Sequence, residues 1–468
     1  MTTTRTAPPP QSVSVLRLAL TAAMGGLLFG YDSAVINGAV DAIREQFQVG
    51  PGPLGFAVAA ALIGAAIGAF FGGRVADAFG RIPVMKVAAV LFLVSAIGSA
   101  VAPEIVSLVA FRILGGLGMG VASIIAPAYI AEVAPARIRG RLGSLQQLAI
   151  VVGIFLSLLV NAILAGIAGG AAETLWLGAP AWRWMLGIEV LPCLLYLVGA
   201  YLIPESPRYL VSRGRVAEAV GVLASIRGTV DPQGQVVRIE ESLRRATAPS
   251  FRDLRGPVAG LKRVVWVGIA IAVLQQFVGI NVIFYYSTTL WASVGFSESD
   301  SFAISVFTSI INVAVTIVAI ALIDKVGRRP LLLIGSAGMA LSLATLAVIF
   351  GTAPLSAAGQ PVLGDVAGPV ALVAANLFVV FFGVSWGPVM WVMLGEMFPN
   401  RIRGAALAVA GLAQWAANWA VTVTFPAMSE FSLGVAYGMY AFFALASLAI
   451  VARFVPETKG LELEDMTD

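Results

Sequence analysis

The chain is built from apolar blocks, each near the length needed to cross a bilayer, recurring from Val15 almost to the C-terminus. A spanning helix needs about 20 predominantly apolar residues. In lipid only helices and closed barrels satisfy the backbone. Barrel strands would read as short alternating segments, and these blocks do not alternate. Only 12% of residues are charged, about half the share of roughly 25% in a soluble domain. That leaves too little polar surface for a water-soluble body of this size. The expected class is an all-α membrane protein of twelve transmembrane helices. The first block contains Asp32 and lacks a clear small-residue cleavage site, so it reads as a retained span rather than a secretory signal.

The blocks fall into two sets of six, one between Val15 and Ile203 and one between Lys262 and Val455. Residues 1–14 are polar and proline-containing and are expected to be a disordered tail. The expected domains are an N-terminal bundle (15–203), a cytoplasmic helical linker (204–261), a C-terminal bundle (262–455) and a short cytoplasmic tail (456–468). Within the linker, Val216 to Arg227 and Val236 to Arg245 carry helical periodicity. Lysine and arginine concentrate on one set of loops: Arg74, Arg81, Lys86, Arg137, Arg139, Arg141, Lys325, Arg328, Arg329, Arg401 and Arg403. The opposite loops hold Arg44 and Arg183 among many carboxylates. By the positive-inside rule the basic side is cytoplasmic. An even span count then places both termini there, in a bacterial inner membrane. The net charge of +4 follows from this asymmetry and does not signal nucleic-acid binding.

The chain also repeats itself. Asp77-Ala78-Phe79-Gly80-Arg81 after the second span matches Asp324-Lys325-Val326-Gly327-Arg328 after the eighth. Glu132 to Gly140 is echoed by Glu396 to Gly404, and Pro204-Glu205-Ser206-Pro207 by Pro456-Glu457-Thr458. Three motif pairs, each separated by about half the chain, indicate two homologous six-helix halves. Transporters built from such repeats bind substrate near the midplane between them.

Several polar residues interrupt the spans, where they cost free energy and mark function. Amides are prominent: Gln146 and Gln147, then Gln275, Gln276 and Asn281, then Asn312, and Gln414 with Asn418. An amide both donates and accepts, which suits a ring of hydroxyls such as a monosaccharide. Gly279 suggests a helix break that would let Gln275 and Asn281 face one cavity. Asp32, in mid-span, needs a partner or a proton, and Arg112 is the candidate partner. There is no histidine, so a proton carrier must be a carboxylate. No nucleophile–base pairing, metal cluster or phosphate loop is present, which argues against an enzyme. The single cysteine, Cys193, excludes an intrachain disulfide and is expected to be an apolar filler.

These motifs, together with Pro204-Glu205-Ser206-Pro207-Arg208, Pro456-Glu457-Thr458-Lys459-Gly460, Gln275 to Asn281 and Trp386-Gly387-Pro388, resemble the sugar porter family of the major facilitator superfamily. The resemblance covers nearly all of the chain after the tail. It is nearest to bacterial glucose and xylose proton symporters and more distant from human facilitative glucose transporters. It implies the major facilitator fold, two pseudo-symmetric bundles with short cytoplasmic helices. It implies sugar contacts at Gln147, Gln275, Gln276, Asn281, Asn312, Trp391 and Gln414, with Phe29, Tyr285, Gly387 and Trp415 lining the cavity. It pairs Asp32 with Arg112 for proton coupling. It assigns a cytoplasmic salt-bridge network to Asp77, Arg81, Glu132, Arg139, Glu189, Glu205, Arg208, Asp324, Arg328, Glu396 and Arg403, although Glu189 also lies within the sixth span as a candidate relay.

The expected activity is therefore proton-coupled symport of a monosaccharide, glucose first, by a monomer in the bilayer. Its substrates are sugar and proton, with no cofactor, no metal and no obligate protein partner. A proton-independent uniporter of the same fold, or a membrane sugar sensor, are the competing readings. Drug efflux is disfavoured because a cavity rich in amides is not the wide apolar lining such a carrier needs.

Overall fold

The computed structural model describes residues 14–135, 138–226, 231–245, 251–356, 361–399 and 401–459. The side chains of Arg139, Gly140, Arg141, Arg245 and Asp324 lie outside that description, as do most of the two expected tails.

Twelve helical segments are long and apolar enough to cross a membrane, and they run in order from Val15–Phe47 to Leu433–Phe454. Small residues set how closely they pack. In the second span (Pro51–Phe79) and the fourth (Ile105–Val133), a Cβ at Gly64 would press on the Ile113 carbonyl. Reciprocally, a Cβ at Gly116 would enter the Ala61 carbonyl. Glycines Gly30 and Gly153 allow the same approach between the first and fifth spans. Lipid gives helices no hydrophobic reason to associate, so this backbone-to-backbone contact is what holds the bundle.

Between the bundles lie three short linker helices, Pro207–Ser212, Val216–Ser225 and Pro232–Arg245. They enclose a small apolar core of Leu210, Val211, Ala219, Leu223 and Val236. Arg401 reaches Asp253 across 2.7 Å and ties the segment after the linker helices to the C-terminal half.

The duplicated motifs turn out to be helix caps. The third span starts at Arg81 and the ninth at Arg328, and the first four N–H groups of a helix have no intrahelical partner. The Glu205 carboxylate accepts from the backbone N–H of Arg81 (3.0 Å) and Ile82 (3.1 Å), and Pro83 has no N–H to satisfy. Glu457 does the same for Arg328 (3.0 Å) and Arg329 (3.0 Å), again followed by a proline, Pro330. A negative charge there also favours the positive end of the helix dipole. The preceding glycines, Gly80 and Gly327, have φ of +102° and +108°, and a Cβ on either would meet the capping carboxylate. Partial burial pushes the Glu457 carboxyl up, but the N–H groups of Lys459, Arg328, Arg329 and Thr458 outweigh it and hold it below the usual range.

Two expectations follow. Gly116→Val should cost about 1–3 kcal/mol by overpacking and lower the melting temperature in detergent, whereas Gly166→Val, with open space around it, should not. Because its folded-state acidity is enhanced, Glu457 stabilises the protein above the ordinary glutamate range near about 4.3, and that contribution is lost as pH falls below it. Melting curves of Glu457→Gln should therefore lie below wild type at neutral pH and converge with it in acid.

Candidate functional site

The amides meet because the seventh span (Arg263–Tyr285) is broken. Its first helix ends at Phe277, Gly279 adopts φ +81°, and a new helix runs Ile280–Tyr285. A side chain at Gly279 would be strained by its φ and would press on the Tyr440 ring. In an unbroken helix Gln276 and Asn281 would point about 140° apart. Across the break, Asn281 Nδ2 donates to Gln276 Oε1 at 2.6 Å. Gln276 Nε2 donates to Gln275 Oε1 at 3.0 Å, and Gln414 of the eleventh span donates to the same oxygen at 2.8 Å. The four amides thus form one chain. The carbonyl oxygens of Asn281 and Gln414 are left for another donor, and each amide keeps an unused N–H.

Gln275 Nε2 donates to the Trp386 carbonyl at 3.0 Å, which fixes the chain to a second broken helix. The tenth span (Ala367–Met397) stops at Val384 and restarts at Trp386. Pro388 supplies the cause, since it lacks the N–H that would continue the ladder. Trp386 is wholly buried, with its indole N–H on Ser336 Oγ at 2.9 Å. Gly387 and Trp391 follow on the restarted helix. Trp391 is 41% exposed and lies against Gly411 of the eleventh span.

The other expected contacts fall around this chain with differing surroundings. Phe29 of the N-terminal half and Trp415 of the C-terminal half meet with ring centroids 5.9 Å apart. Tyr285 lies beside Asn418 and Ser33, also across the two halves. Asn312 is buried in the eighth span close to Gly383. In the fifth span Gln146 turns onto Gly26 of the first span, while Gln147 beside it is half-buried.

The charged site lies in the N-terminal half. Arg112 Nη1 donates to Asp32 Oδ1 at 3.0 Å and to the Asp32 backbone carbonyl at 3.1 Å. Both residues are 2% exposed, and so is Glu189, whose carboxyl lies within hydrogen-bonding reach of Asp32. This corrects the cytoplasmic role expected for Glu189. It sits inside the sixth span with Asp32 and Arg112, away from the arginine-rich helix ends, because the sixth span packs against the first and third. Asp32 Oδ2, Glu189 Oε1 and Arg112 Nε have no protein partner among the described residues. The nearby Tyr31 hydroxyl and Cys193 are buried too.

The motif charges form two mirror-image clusters, one per half. Arg81 holds Glu132 through two bonds (2.8 and 3.1 Å) and Asp77 at 2.9 Å. Arg328 holds Glu396 through two bonds (2.9 and 3.0 Å), and Thr458 donates to the same carboxylate. Glu132 and Glu396 occupy the last turns of their helices. Two further members depart from the expected network. Arg208 faces Ser242 at 3.5 Å and leaves Glu205 to backbone N–H groups. Arg403 donates to the Phe398 carbonyl and does not pair with Glu396. Arg139 and Asp324 fall outside the described side chains.

At the opposite end the halves are joined. Asn37, Asp41 and Arg44 of the first span bond Thr288, Thr289 and Glu430, and Glu298 accepts from the Ala171 N–H. Sequence reasoning missed this set and the bend in the first span that carries it, although Asn37-Gly38 was the signal.

Amides gathered in one half, a buried charge cluster in the other and halves joined at one end fit a membrane carrier. Residues 18–468 match the model of the "Sugar (and other) transporter" family, and the chain belongs to that family. It is 52% identical to the glucose transport protein of Synechocystis sp. (strain ATCC 27184 / PCC 6803 / Kazusa) over 98% of this chain and 99% of that one. It is 39% identical to the D-xylose-proton symporter of Escherichia coli (strain K12) over 97% of this chain and 95% of that one. Among solved structures, the partially occluded inward-open form of the E. coli xylose transporter XylE superposes with a TM-score of 0.82 at 38% identity, covering 96% of this chain and 99% of that one. The protein is accordingly a multi-pass membrane transporter with the major facilitator fold, and not an enzyme.

Removing one link of the amide chain tests its role. Gln276→Ala takes the acceptor from Asn281 Nδ2 and one of two donors from Gln275 Oε1, and should weaken sugar binding at least tenfold, read by equilibrium binding to purified protein with unchanged melting temperature.

Proposed function

We propose that this protein carries a monosaccharide, glucose first, together with a proton into the cell by alternating access. The observation that supports this most is the placement of two unlike sites side by side. Uncharged amides lie in the C-terminal half, and a sealed Asp32–Arg112–Glu189 cluster lies in the N-terminal half. The relatives named for glucose transport and for D-xylose–proton symport, and a solved XylE complex with 6-bromo-6-deoxy-D-glucose (TM-score 0.78, 39% identity), support the substrate class. The arginine-rich end is cytoplasmic by the positive-inside rule, which puts both termini inside and the joined end outside. The amide chain and the charge cluster both lie within one chain, so a monomer in the bilayer suffices, with no cofactor beyond the proton.

The mechanism follows from charge counting. One guanidinium balances one of the two carboxyls, and a second buried negative charge is strongly penalised. The cluster therefore trades a proton rather than tolerating that charge. With the outer side open, Asp32 takes a proton from outside and its bond to Arg112 weakens. Sugar bridges the open amide groups of the C-terminal half, the outer side closes, and the inner side opens. Both substrates leave to the cytoplasm, and Asp32 pairs again with Arg112. One proton crossing 100 mV supplies about 2.3 kcal/mol, and at about 1.36 kcal/mol per tenfold this supports roughly 50-fold accumulation.

Asp32→Asn should abolish uphill uptake into energised vesicles while downhill counterflow persists. Full accumulation by that variant would overturn the coupling role of Asp32, and wild-type uptake that does not accumulate and is insensitive to an uncoupler would leave a uniporter.

A further inference from the structure

The fifth and sixth spans are joined at the outer end by a tight hairpin. Thr174 and Pro180 pair across it, the Ala179 N–H donates to the Trp176 carbonyl at 3.0 Å, and the Ala181 N–H donates to the Glu173 carbonyl at 2.8 Å. Its tip, Leu177-Gly178, has φ of +55° and +74°. Two successive positive φ values make a type I′ turn, which favours asparagine, aspartate or glycine at its first central position. Leucine rarely takes such a φ. Leu177 is nonetheless 94% exposed, so no contact within the protein accounts for its side chain, and Trp176 beside it is 45% exposed.

The tip is held at a defined height. Trp184 Nε1 donates to the Trp176 carbonyl at 3.1 Å, and the two indoles meet edge to face with ring centroids 5.4 Å apart. Trp184 lies near the outer start of the sixth span, Ala181–Leu202. About two and about three turns further on come Leu191 and Leu195, both exposed, on the face that this span turns to lipid. The apolar tip therefore continues the lipid-facing stripe at its outer end, where tryptophan is favoured at the membrane–water boundary. Arg183 supplies a positive charge at the same level, about three turns from the exposed Leu194. Its Nη1 donates to the Ala100 carbonyl at 2.9 Å, and its guanidinium lies 4.5 Å from the Trp182 ring centroid. Arg44 at this end holds Glu430 at 2.7 Å, whereas no carboxylate pairs with Arg183 among the described residues. A guanidinium carries five N–H donors in a fork that matches phosphate, so most of its capacity stays open.

We propose that the outer end of the sixth span binds a phospholipid of the outer leaflet. Arg183 takes the phosphate, Trp176 and Trp184 flank the glycerol region, and Leu177 enters the upper acyl zone. The chains follow Leu191 and Leu195 down the span. Free phosphate would use the arginine alone, whereas a lipid also covers the apolar tip. The site requires neither sugar nor proton, so it stands apart from the transport reading above.

The test titrates the full chain in detergent micelles with phosphatidylglycerol brominated near the top of one acyl chain, which quenches nearby tryptophan. The part of the signal lost in Trp176→Phe isolates the indole at the tip. In wild type that part should saturate. Arg183→Gln should raise the half-saturating lipid fraction at least fivefold, with Arg183→Lys in between, and inorganic phosphate should not displace the lipid. Melting temperature is read in parallel, because Arg183 also holds the Ala100 carbonyl. In liposomes a nitroxide on Leu177→Cys should meet oxygen more often than a water-soluble nickel chelate, as one on Leu195→Cys does, while the native Cys193 is buried. Quenching that never saturates and ignores Arg183→Gln, at wild-type melting temperature, would reduce the contact to ordinary lipid solvation and overturn the site. Displacement by inorganic phosphate would make it a free-anion site. A Leu177→Cys label open to nickel, or shielded from both reagents, would mean that water or a second protein covers the tip. Either result would overturn the proposal as well.

Discussion

A helix that breaks inside a bilayer must find new partners for the backbone groups it releases, because lipid offers none. The first, seventh and tenth spans all break, and several of the polar side chains described above either repair a break or are aimed by one. Arg112 and Asn161 take carbonyls of the first span. Gln275 takes the carbonyl at the restart of the tenth. Asn37 serves both sides of the seventh-span junction. The polar residues of the spans are therefore structural and functional at once. An amide that only glued helices would have both ends used, whereas Asn281 and Gln414 each donate to the chain and keep a carbonyl unused.

The two halves share a common plan but not their chemistry. The Arg81–Glu132–Glu205 cluster and the Arg328–Glu396–Glu457 cluster superpose in logic almost atom for atom, with the same two-bond arginine and the same carboxylate cap. These clusters lie within their own halves, so each stiffens one bundle as a rigid unit. A rocking mechanism needs such units, since relative motion of two bundles is useful only if neither bundle deforms. The mobile contacts are the ones between halves: Phe29 on Trp415, Tyr285 beside Ser33, and the set around Asn37.

Much of this was legible in the sequence, for physical reasons that can be named. Span count follows from the length of apolar blocks, and the duplicated motifs follow from the demands of two identical helix starts, each needing a carboxylate, a glycine and a proline. The break itself was foreshadowed by Gly279, since only glycine takes that φ without strain, although Asn281 bonds Gln276 rather than the Gln275 that the sequence suggested would share its face. Glu189 was misplaced because a single carboxylate in an apolar run carries no mark of which neighbour it faces. Its partners, Asp32 and Arg112, lie on other spans. Asn37 was overlooked because its role depends on the seventh-span break at Tyr286, which has neither glycine nor proline to announce it. Arg403, which the resemblance placed in the network, goes to the Phe398 carbonyl, while Arg328 holds the Glu396 carboxylate at two points.

In the proposed cycle the two halves divide the labour, so a proton influences a sugar it never touches. The proton is taken up at Asp32, where Arg112 grips the first span. The sugar is taken up at the amide chain, which ties together the broken seventh and tenth spans. The first and seventh spans touch at Tyr285 with Ser33 and at Asn37 with Thr288. Coupling is a free energy between sites, and this seam is placed to carry part of it. A carrier of this architecture can thus lose tight coupling through changes at the seam while keeping both binding sites intact.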